Sequence, residues 1–569
     1  ASLADGNGDS ALLLTDGTAR WDMPIFNADQ LEMLRKNDMV GGDGSDRPFI
    51  VDAANRFYLQ RNHRNECAVA AAIKARRTQV TNTFAAVLES DVDLLFDSAM
   101  GDEIEPQKRA VRVVGERGLF VLTGGPGTGK TTTVLRMLLM LQRRAGRTLS
   151  IQAAAPTGKA AQRLVQSLRA GKRAFLAQAT QPLPEDWPEY LECIPDQEAV
   201  TVHRLLGFQP WRNAFRNNRR HPIAAEVVVI DEASMIDLAM LRALLDAVRP
   251  DALLILVGDA DQLTSVATGS VLMDMVGAME ASQRDDLVRL LHSFRAQREL
   301  VAINEAVRAG DGTALSAAIS VAAENASRDD VEDIARLRRA LARWSERLAE
   351  SIPQSDSTRR APVDETDAFE RPVDLVAVDE LRHAFAALAE QQLLCALREG
   401  PFGSLVINAA LERSLRKQWN VAADADWYHG RAVIITRNDY TAGLFNGDVG
   451  LCLADADGGL RVWFESSPSS EPQGHTGPGF RAFAPNALPI HETAFAMTIH
   501  KSQGSEYRHV AVLLPPDSDH RILSRQLLYT GLSRASRSVE IWSTDRALAT
   551  AIATPVTRAG GLEDRLAAD

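Results

Sequence analysis

The run Gly124-Gly125-Pro126-Gly127-Thr128-Gly129-Lys130-Thr131 satisfies the pattern G-x-x-x-x-G-K-[ST]. The spacing suits one chemistry. Glycines let backbone N–H groups curl around phosphate oxygens, a lysine reaches the outer phosphates, and a hydroxyl ligates Mg²⁺. Lys130 and Thr131 stand at the last two of those places, and Thr132 continues into a helix whose N-terminal end favours anions. Further along, Asp231 and Glu232 end the apolar run Val227–Ile230. A carboxylate pair delivered by a buried strand is equipped to hold Mg²⁺ (Asp231) and to orient an attacking water (Glu232). Together these residues predict a site that binds and hydrolyses a nucleoside triphosphate.

The elements around them fit that prediction. Leu119–Thr123, Ser150–Ala155, Val227–Ile230 and Leu253–Val257 are short apolar runs separated by helix-length segments, as in a parallel sheet buried on both faces. Ligands bind such sheets at the C-terminal strand ends, where every candidate motif falls. A second set, Ser404–Ala409, Ala494–Ile499, His509–Leu514 and Ser538–Trp542, predicts a second sheet domain. Arg431 to about Phe483 carries short strands and the turn pairs Asn446-Gly447 and Asp457-Gly458, which predict a small inserted β-barrel over 431–485. The polar, acidic stretch 352–375 reads as a mobile loop. Residues 1–100 show strand-like Pro48–Asp52 and Phe57–Gln60 and an alanine-rich helix over Glu66–Arg76, with no chemical motif.

The chain has 569 residues, so several domains are expected: 1–100, 101–300 with a small insertion near 170–200, and 301–569. Its net charge of −12 argues against a free-standing coater of nucleic acid, because phosphate binding draws on basic faces. Cys67, Cys193, Cys395 and Cys452 are scattered, without the spacing of a zinc or iron–sulfur site, and fit a reducing cytoplasm. Ala1 to Ser10 is acidic and glycine-rich, unlike a secretory signal. No apolar run reaches membrane-spanning length, and Leu135–Leu141, interrupted by Arg136, reads as a packed helix.

Further motifs follow in order: Ala155-Pro156-Thr157-Gly158-Lys159, Thr201-Val202-His203-Arg204-Leu205-Leu206-Gly207, Gly258-Asp259-Ala260-Asp261-Gln262, His292-Ser293-Phe294-Arg295, Thr498-Ile499-His500-Lys501-Ser502-Gln503-Gly504-Ser505-Glu506 and Tyr529-Thr530-Gly531-Leu532-Ser533-Arg534-Ala535. From Gln107 onward this series resembles the superfamily-1 helicases. The wording of several motifs, and the segment Gln391–Gly403, are similar to the RecD family, whose members are subunits of RecBCD helicase–nucleases.

That resemblance implies an α/β protein with two RecA-like P-loop motor domains, using ATP and Mg²⁺. It implies that Gln107 reads the adenine edge and Glu506 bonds the ribose. Gln262 would sense the γ-phosphate, and Arg295 and Arg534 would act as arginine fingers from the second domain. Thr157, Lys159, His203, Thr498 and His500 would line a single-strand groove; hydroxyls and imidazoles hold phosphates with little net charge. The resemblance also implies 5′-to-3′ movement on single-stranded DNA and action at double-strand DNA ends. RecB-like and RecC-like partners are implied too, with residues 1–100 docking on the latter. No nuclease constellation is recognisable, so cutting would fall to a partner. A self-sufficient helicase of the same branch, a structural subunit with a decayed ATPase and an RNA helicase remain as alternatives.

Overall fold

The computed structural model describes residues 2–15, 25–80, 84–96, 101–178, 184–197, 200–209, 211–265, 267–282, 284–294, 298–352, 378–422, 424–439, 441–454, 459–465 and 479–567. The first parallel sheet runs in the order Leu287–Leu290, Leu119–Gly124, Leu253–Gly258, Val227–Ile230, Ile151–Ala154. Every residue of Leu119–Gly124, Leu253–Gly258 and Val227–Ile230 is buried, which is why these strands read as unbroken apolar runs. Register sets Gly258 beside Thr123 and Leu256 beside Ile230, so three motifs leave the sheet along one edge. The edge strand Leu287–Leu290, which pairs with the P-loop strand, escaped the sequence reading because its run is short and carries Arg289.

One face of this sheet is covered by the helix Lys130–Ala145, whose Leu135–Leu141 stretch is entirely buried. The other face is covered partly by residues distant in sequence. Val69 and Ile73 of the helix Gln60–Thr78 and Leu562 and Leu566 of the helix Leu562–Ala567 join its core. Arg76 donates to the carbonyls of Val248, Arg249 and Ala252 at 2.7–2.9 Å, and Arg77 pairs with Asp286 at 2.6 Å with both side chains buried. The helix after the small sheet Ala11–Leu13, Arg56–Leu59, Phe49–Val51, Val40–Gly41 thus packs as a layer on the first parallel sheet.

The second parallel sheet runs Ala326–Asp329, Ala535–Trp542, Tyr507–Leu513, Gln391–Cys395, Ala496–Thr498. Ser404–Ala409, expected as a strand, opens the helix Ser404–Gln418 instead. Its buried Ile407, Leu411 and Leu415 recur every four residues, a helical period hidden when only the first six residues are read. The strand in that place is Gln391–Cys395, whose two glutamines disguise a fully buried run. The expected barrel over 431–485 is an antiparallel five-stranded sheet, Phe480–Phe483, Leu460–Glu465, Val449–Ala454, Ala432–Ile435, His491–Thr493. Its outer strands are not paired with each other among the described residues, so the sheet keeps two edges where a barrel would have none. The loop expected over 352–375 lies, apart from Ile352, outside the described residues. Among the described residues no helix is long and apolar enough to cross a membrane.

Candidate active site between the parallel sheets

The loop after Leu119–Gly124 has the shape its glycines permit. Gly127 and Gly129 take φ of +77° and +81°, in the left-handed region that side chains avoid. A Cβ on Gly124 would sit 2.6 Å from the Leu290 carbonyl oxygen, and one on Gly129 would sit 2.8 Å from Gln107 Nε2. Lys130 lies over the loop, its Nζ donating to the carbonyls of Gly124 and Gly125 at 2.8 and 3.0 Å. Thr128 Oγ1 donates to the Gly125 carbonyl at 2.8 Å, drawing the curl closed. Gln107, almost fully buried, donates from Nε2 to the Thr128 carbonyl at 3.1 Å and accepts from Arg136 at 3.3 Å. Burial lowers the Arg136 pKa to about 10.

Asp231 and Glu232 leave the end of Val227–Ile230 facing this loop. Asp231 keeps some surface toward the cleft. Burial, and then the Glu232 charge, push its pKa up to about 6, while Lys130 pulls the other way. Its Oδ1 accepts from the Glu232 amide at 2.9 Å. Glu232 itself has φ +51°, one of few non-glycine residues in the left-handed region. Such strain of about 1–3 kcal/mol persists where the surroundings fix it, commonly at functional positions. A half-buried carboxylate beside a second carboxylate, with the Thr131 hydroxyl in the first turn of the facing helix Lys130–Ala145, is a donor set suited to a hard divalent cation such as Mg²⁺.

The opposite wall comes from the second sheet. Arg534, 3% exposed, donates from Nη2 to Gln262 Oε1, from Nε to the Thr530 carbonyl at 3.1 Å and from Nη1 to the Ser505 carbonyl at 3.3 Å. Gln262 Nε2 in turn donates to Asp259 Oδ2 at 3.0 Å, which also accepts from the Tyr529 hydroxyl at 3.1 Å. Leu263 is gripped at both backbone ends: its amide donates to Thr530 Oγ1 at 2.8 Å, and its carbonyl accepts from Gln503 Nε2 at 2.9 Å. Burial lowers the pKa of Arg534, with the Glu232 charge opposing.

Gln107, Pro126, Gly127, Gly129, Lys130, Thr131, Thr132, Asp231, Glu232, Gln262 and Arg534 share one cavity of about 400 Å³. Gly125 and Thr128 line the adjoining cavity together with Glu506. Arg295 lies outside the described residues; its neighbour Phe294 lines the main cavity and donates its amide to the Gly127 carbonyl at 2.9 Å.

One cleft residue escaped the sequence reading. Arg163, on the helix Gly158–Gln178, lines the cavity beside Asp231 and crosses to the other sheet, donating to the Gly504 carbonyl at 3.2 Å and pairing with Glu506. The signal available was its place one turn beyond Lys159, on the helix that leaves a motif.

Of the residues assigned to DNA, Thr157 follows the strand Ile151–Ala154, Lys159 and His203 lie on the helices Gly158–Gln178 and Val202–Leu205, Thr498 ends the strand Ala496–Thr498 and His500 opens the turn after it. Thr157 Oγ1 accepts from the Ala160 amide at 3.2 Å, and Thr498 Oγ1 accepts from the Lys501 amide at 3.4 Å. The His203 ring packs against Phe208 and Phe215 with centroids 5.7 and 6.1 Å away, and burial lowers its pKa. Burial, then the Arg558 cation, also lower that of His500. Lys159 lines a separate cavity with Asp448 and Glu465, whose carboxyls burial pushes up and Lys159 pulls back.

A family model described as an AAA domain matches residues 107–268, and one described as a UvrD-like helicase C-terminal domain matches residues 493–541. The RecBCD enzyme subunit RecD of Mycobacterium tuberculosis (strain ATCC 25618 / H37Rv) is 38% identical over 547 residues, covering 95% of this chain and 84% of that one. The RecBCD enzyme subunit RecD of Haemophilus influenzae is 32% identical over 489 residues, covering 80% and 71%. Among solved structures, Bacteroides Pif1 bound to single-stranded DNA matches with 16% identity and a TM-score of 0.37, covering 78% of this chain and 92% of that one.

Proposed function

The chain belongs to the RecD subunit family of the RecBCD enzyme, and from that premise we propose how its cleft couples ATP hydrolysis to movement on DNA. The protein is an ATP-dependent DNA helicase motor of the RecBCD type. ATP lies with its adenine edge on Gln107, its ribose near Glu506 and its phosphates in the curl Gly124–Thr131, where Lys130 exchanges its loop carbonyls for the outer phosphates. Thr131 and Asp231 would hold Mg²⁺, which would supply positive charge against the phosphates. Glu232 accepts a hydrogen bond from the attacking water and aims it at the γ-phosphate, a task its fixed, left-handed backbone serves. Arg534 meets charge that grows in the transition state, and Gln262, already bonded to it, reports phosphate loss to the second sheet.

The Arg534–Gln262 bond carries this reading, because it joins the two sheets at the site of hydrolysis. Thr157, Lys159, His203, Thr498 and His500 form the single-strand groove, which closes and opens with the cleft and drives 5′-to-3′ movement. RecB-like and RecC-like subunits complete a cytoplasmic machine acting on double-strand DNA ends. They supply the positive field that a chain of net charge −12 lacks, and they carry the nuclease. The small sheet of residues 11–59, with Met33 and Met39 exposed beside it, is the docking face.

The test is ATP turnover with and without single-stranded DNA, together with unwinding of duplexes bearing a 5′ or a 3′ tail. DNA-stimulated turnover and unwinding from the 5′ tail alone are expected. Processive unwinding of long blunt duplex by the isolated chain would replace this reading with the self-sufficient helicase.

A further inference from the structure

The loop that follows Gln262 is held from outside the two sheets. Arg558, beyond the last strand of the second sheet, donates from Nη2 to the Ser265 carbonyl at 2.5 Å and from Nη1 to those of Ala267 and Gly269 at 2.6 and 2.9 Å. One planar guanidinium thus engages three carbonyls of a segment that begins two residues after Leu263. Residues 5–11 close over it. Gly8, at φ +84°, lies so near that a Cβ there would be 2.7 Å from Arg558 Cζ, and its carbonyl accepts from the Gly269 amide at 2.8 Å. Asp5 accepts from Thr268 Oγ1 at 2.8 Å, and Asp9 accepts from the Ala559 amide at 2.9 Å. At its other end the loop continues into Gln262 and Leu263, whose contacts with Arg534, Thr530 and Gln503 form the cross-cleft seam.

We propose that Arg558 is a positioning residue for Gln262, fixing the loop after it so that the glutamine meets Arg534 correctly, and that the seating of residues 5–11 on Arg558 tunes ATP turnover. A loop of exposed carbonyls has many conformations of similar energy, and a rigid fork satisfying three of them selects one. Displacing a catalytic group by about 1 Å costs on the order of 10² in rate, so a loop held three residues from Gln262 has leverage on hydrolysis. Residues 5–11 belong to the same unit as the proposed docking sheet, so a partner that shifts this segment shifts the loop. The proposal rests on the γ-phosphate role given to Gln262 above.

The experiment uses the full chain with saturating single-stranded DNA, and compares Arg558→Ala, Arg558→Lys, Thr268→Val and Gln262→Ala. Arg558→Ala is expected to lower DNA-stimulated kcat about tenfold with KM for ATP within about twofold of the parent, the pattern of a lost transition-state contact. Arg558→Lys, which keeps the charge without the fork, should recover part of the loss. Thr268→Val, which frees the loop only from Asp5, should show a smaller loss of the same kind. Thermal midpoints measured alongside separate positioning from unfolding; if Arg558→Ala does not fold, the lysine and Thr268→Val variants decide. Normal kcat in the folded Arg558 and Thr268 variants, with Gln262→Ala inactive, overturns the proposal. Normal kcat in Gln262→Ala overturns the reading it rests on.

Discussion

The nucleotide cleft and the positions assigned to DNA are built around the same two sheets, yet their side chains are held very differently. In the cleft, Gln107, Gln262 and Arg534 are nearly buried, and each makes more than one directed hydrogen bond, at least one of them to a group far away in sequence. At the DNA-assigned positions, Thr157 and Thr498 bond amides three residues away, and His203 rests on a pair of phenylalanines. Phosphoryl transfer rewards donors fixed before the reaction, since they need not reorganise when charge develops. A strand that slides must meet the same groups with every nucleotide, so short adaptable contacts serve better than a rigid set. The contrast predicts large effects on turnover from cleft substitutions and graded ones from the groove.

The largest effect should come from Arg534. An arginine finger is worth about 10³ to 10⁵ in rate. Arg534→Ala should lose that much kcat and all DNA stimulation while ATP affinity changes little. Phosphate release with and without single-stranded DNA measures it. A variant still stimulated by DNA would move the finger to Arg295 and weaken the idea of a preorganised cleft.

Glu232→Gln comes next, with turnover lower by about 10² to 10⁴ and nucleotide affinity kept. Equilibrium binding of a nonhydrolysable ATP analogue separates the two. Equal loss of both would make Glu232 a metal ligand. Glu232→Gly is the sharper variant: it should be equally inactive, yet more heat-stable than the glutamine form, because glycine adopts φ +51° without strain.

Arg163 tests whether the cleft extends to the seam between the sheets. Arg163→Ala and Glu506→Ala should each reduce DNA-stimulated kcat about tenfold, and the double variant should lose little more than either, as expected of groups that act as a pair. Additive losses would make their contact incidental to turnover. Groove variants sit lower still. Thr157→Val or His203→Ala should weaken single-strand binding a few-fold with basal ATPase intact, as fluorescence anisotropy would show.

How much of this was readable in advance follows the same divide. The P-loop, Asp231 and Glu232 are local words at the ends of unbroken apolar strands, and the sheet places them together without further information. Gln391–Cys395 went unread because Gln391 and Gln392 are buried polar residues; Gln392 bonds the Phe495 carbonyl at 3.1 Å across the sheet, a partner no local window contains. Ser404–Ala409 was misread for the opposite reason, a window too short to show a period of four. The union of the helix Gln60–Thr78 with the first motor sheet was hidden too, since its buried arginines look like solvent-facing charge until Asp286 and the carbonyls near Val248 come into view. Removing residues 1–78 should therefore cost the first motor unit its fold as well as the proposed docking face.

The smallest effect concerns Asp231, where chemistry and stability are set against each other. Burial, with the Glu232 charge behind it, raises the Asp231 pKa from 3.8 to about 6. The folded protein therefore holds this proton more tightly than the unfolded chain does. Stability falls as pH rises through the window between those two values, and the full penalty is present above it. Asp231→Asn abolishes the penalty because an amide does not ionise. Its thermal midpoint should match that of the parent near pH 4, rise above it by a few degrees as pH approaches 7, and then level off. With Mg²⁺ and a nonhydrolysable ATP analogue the order should reverse, since the cation favours the ionised carboxylate and only the parent supplies one. Differential scanning calorimetry over that pH range, with and without Mg²⁺–nucleotide, measures both halves. A gain independent of pH would mean that Asp231 is not the titrating group. A gain that survives Mg²⁺–nucleotide would mean that Asp231 does not hold the metal, and the cleft would then owe its instability to packing instead of to the charge it keeps for catalysis.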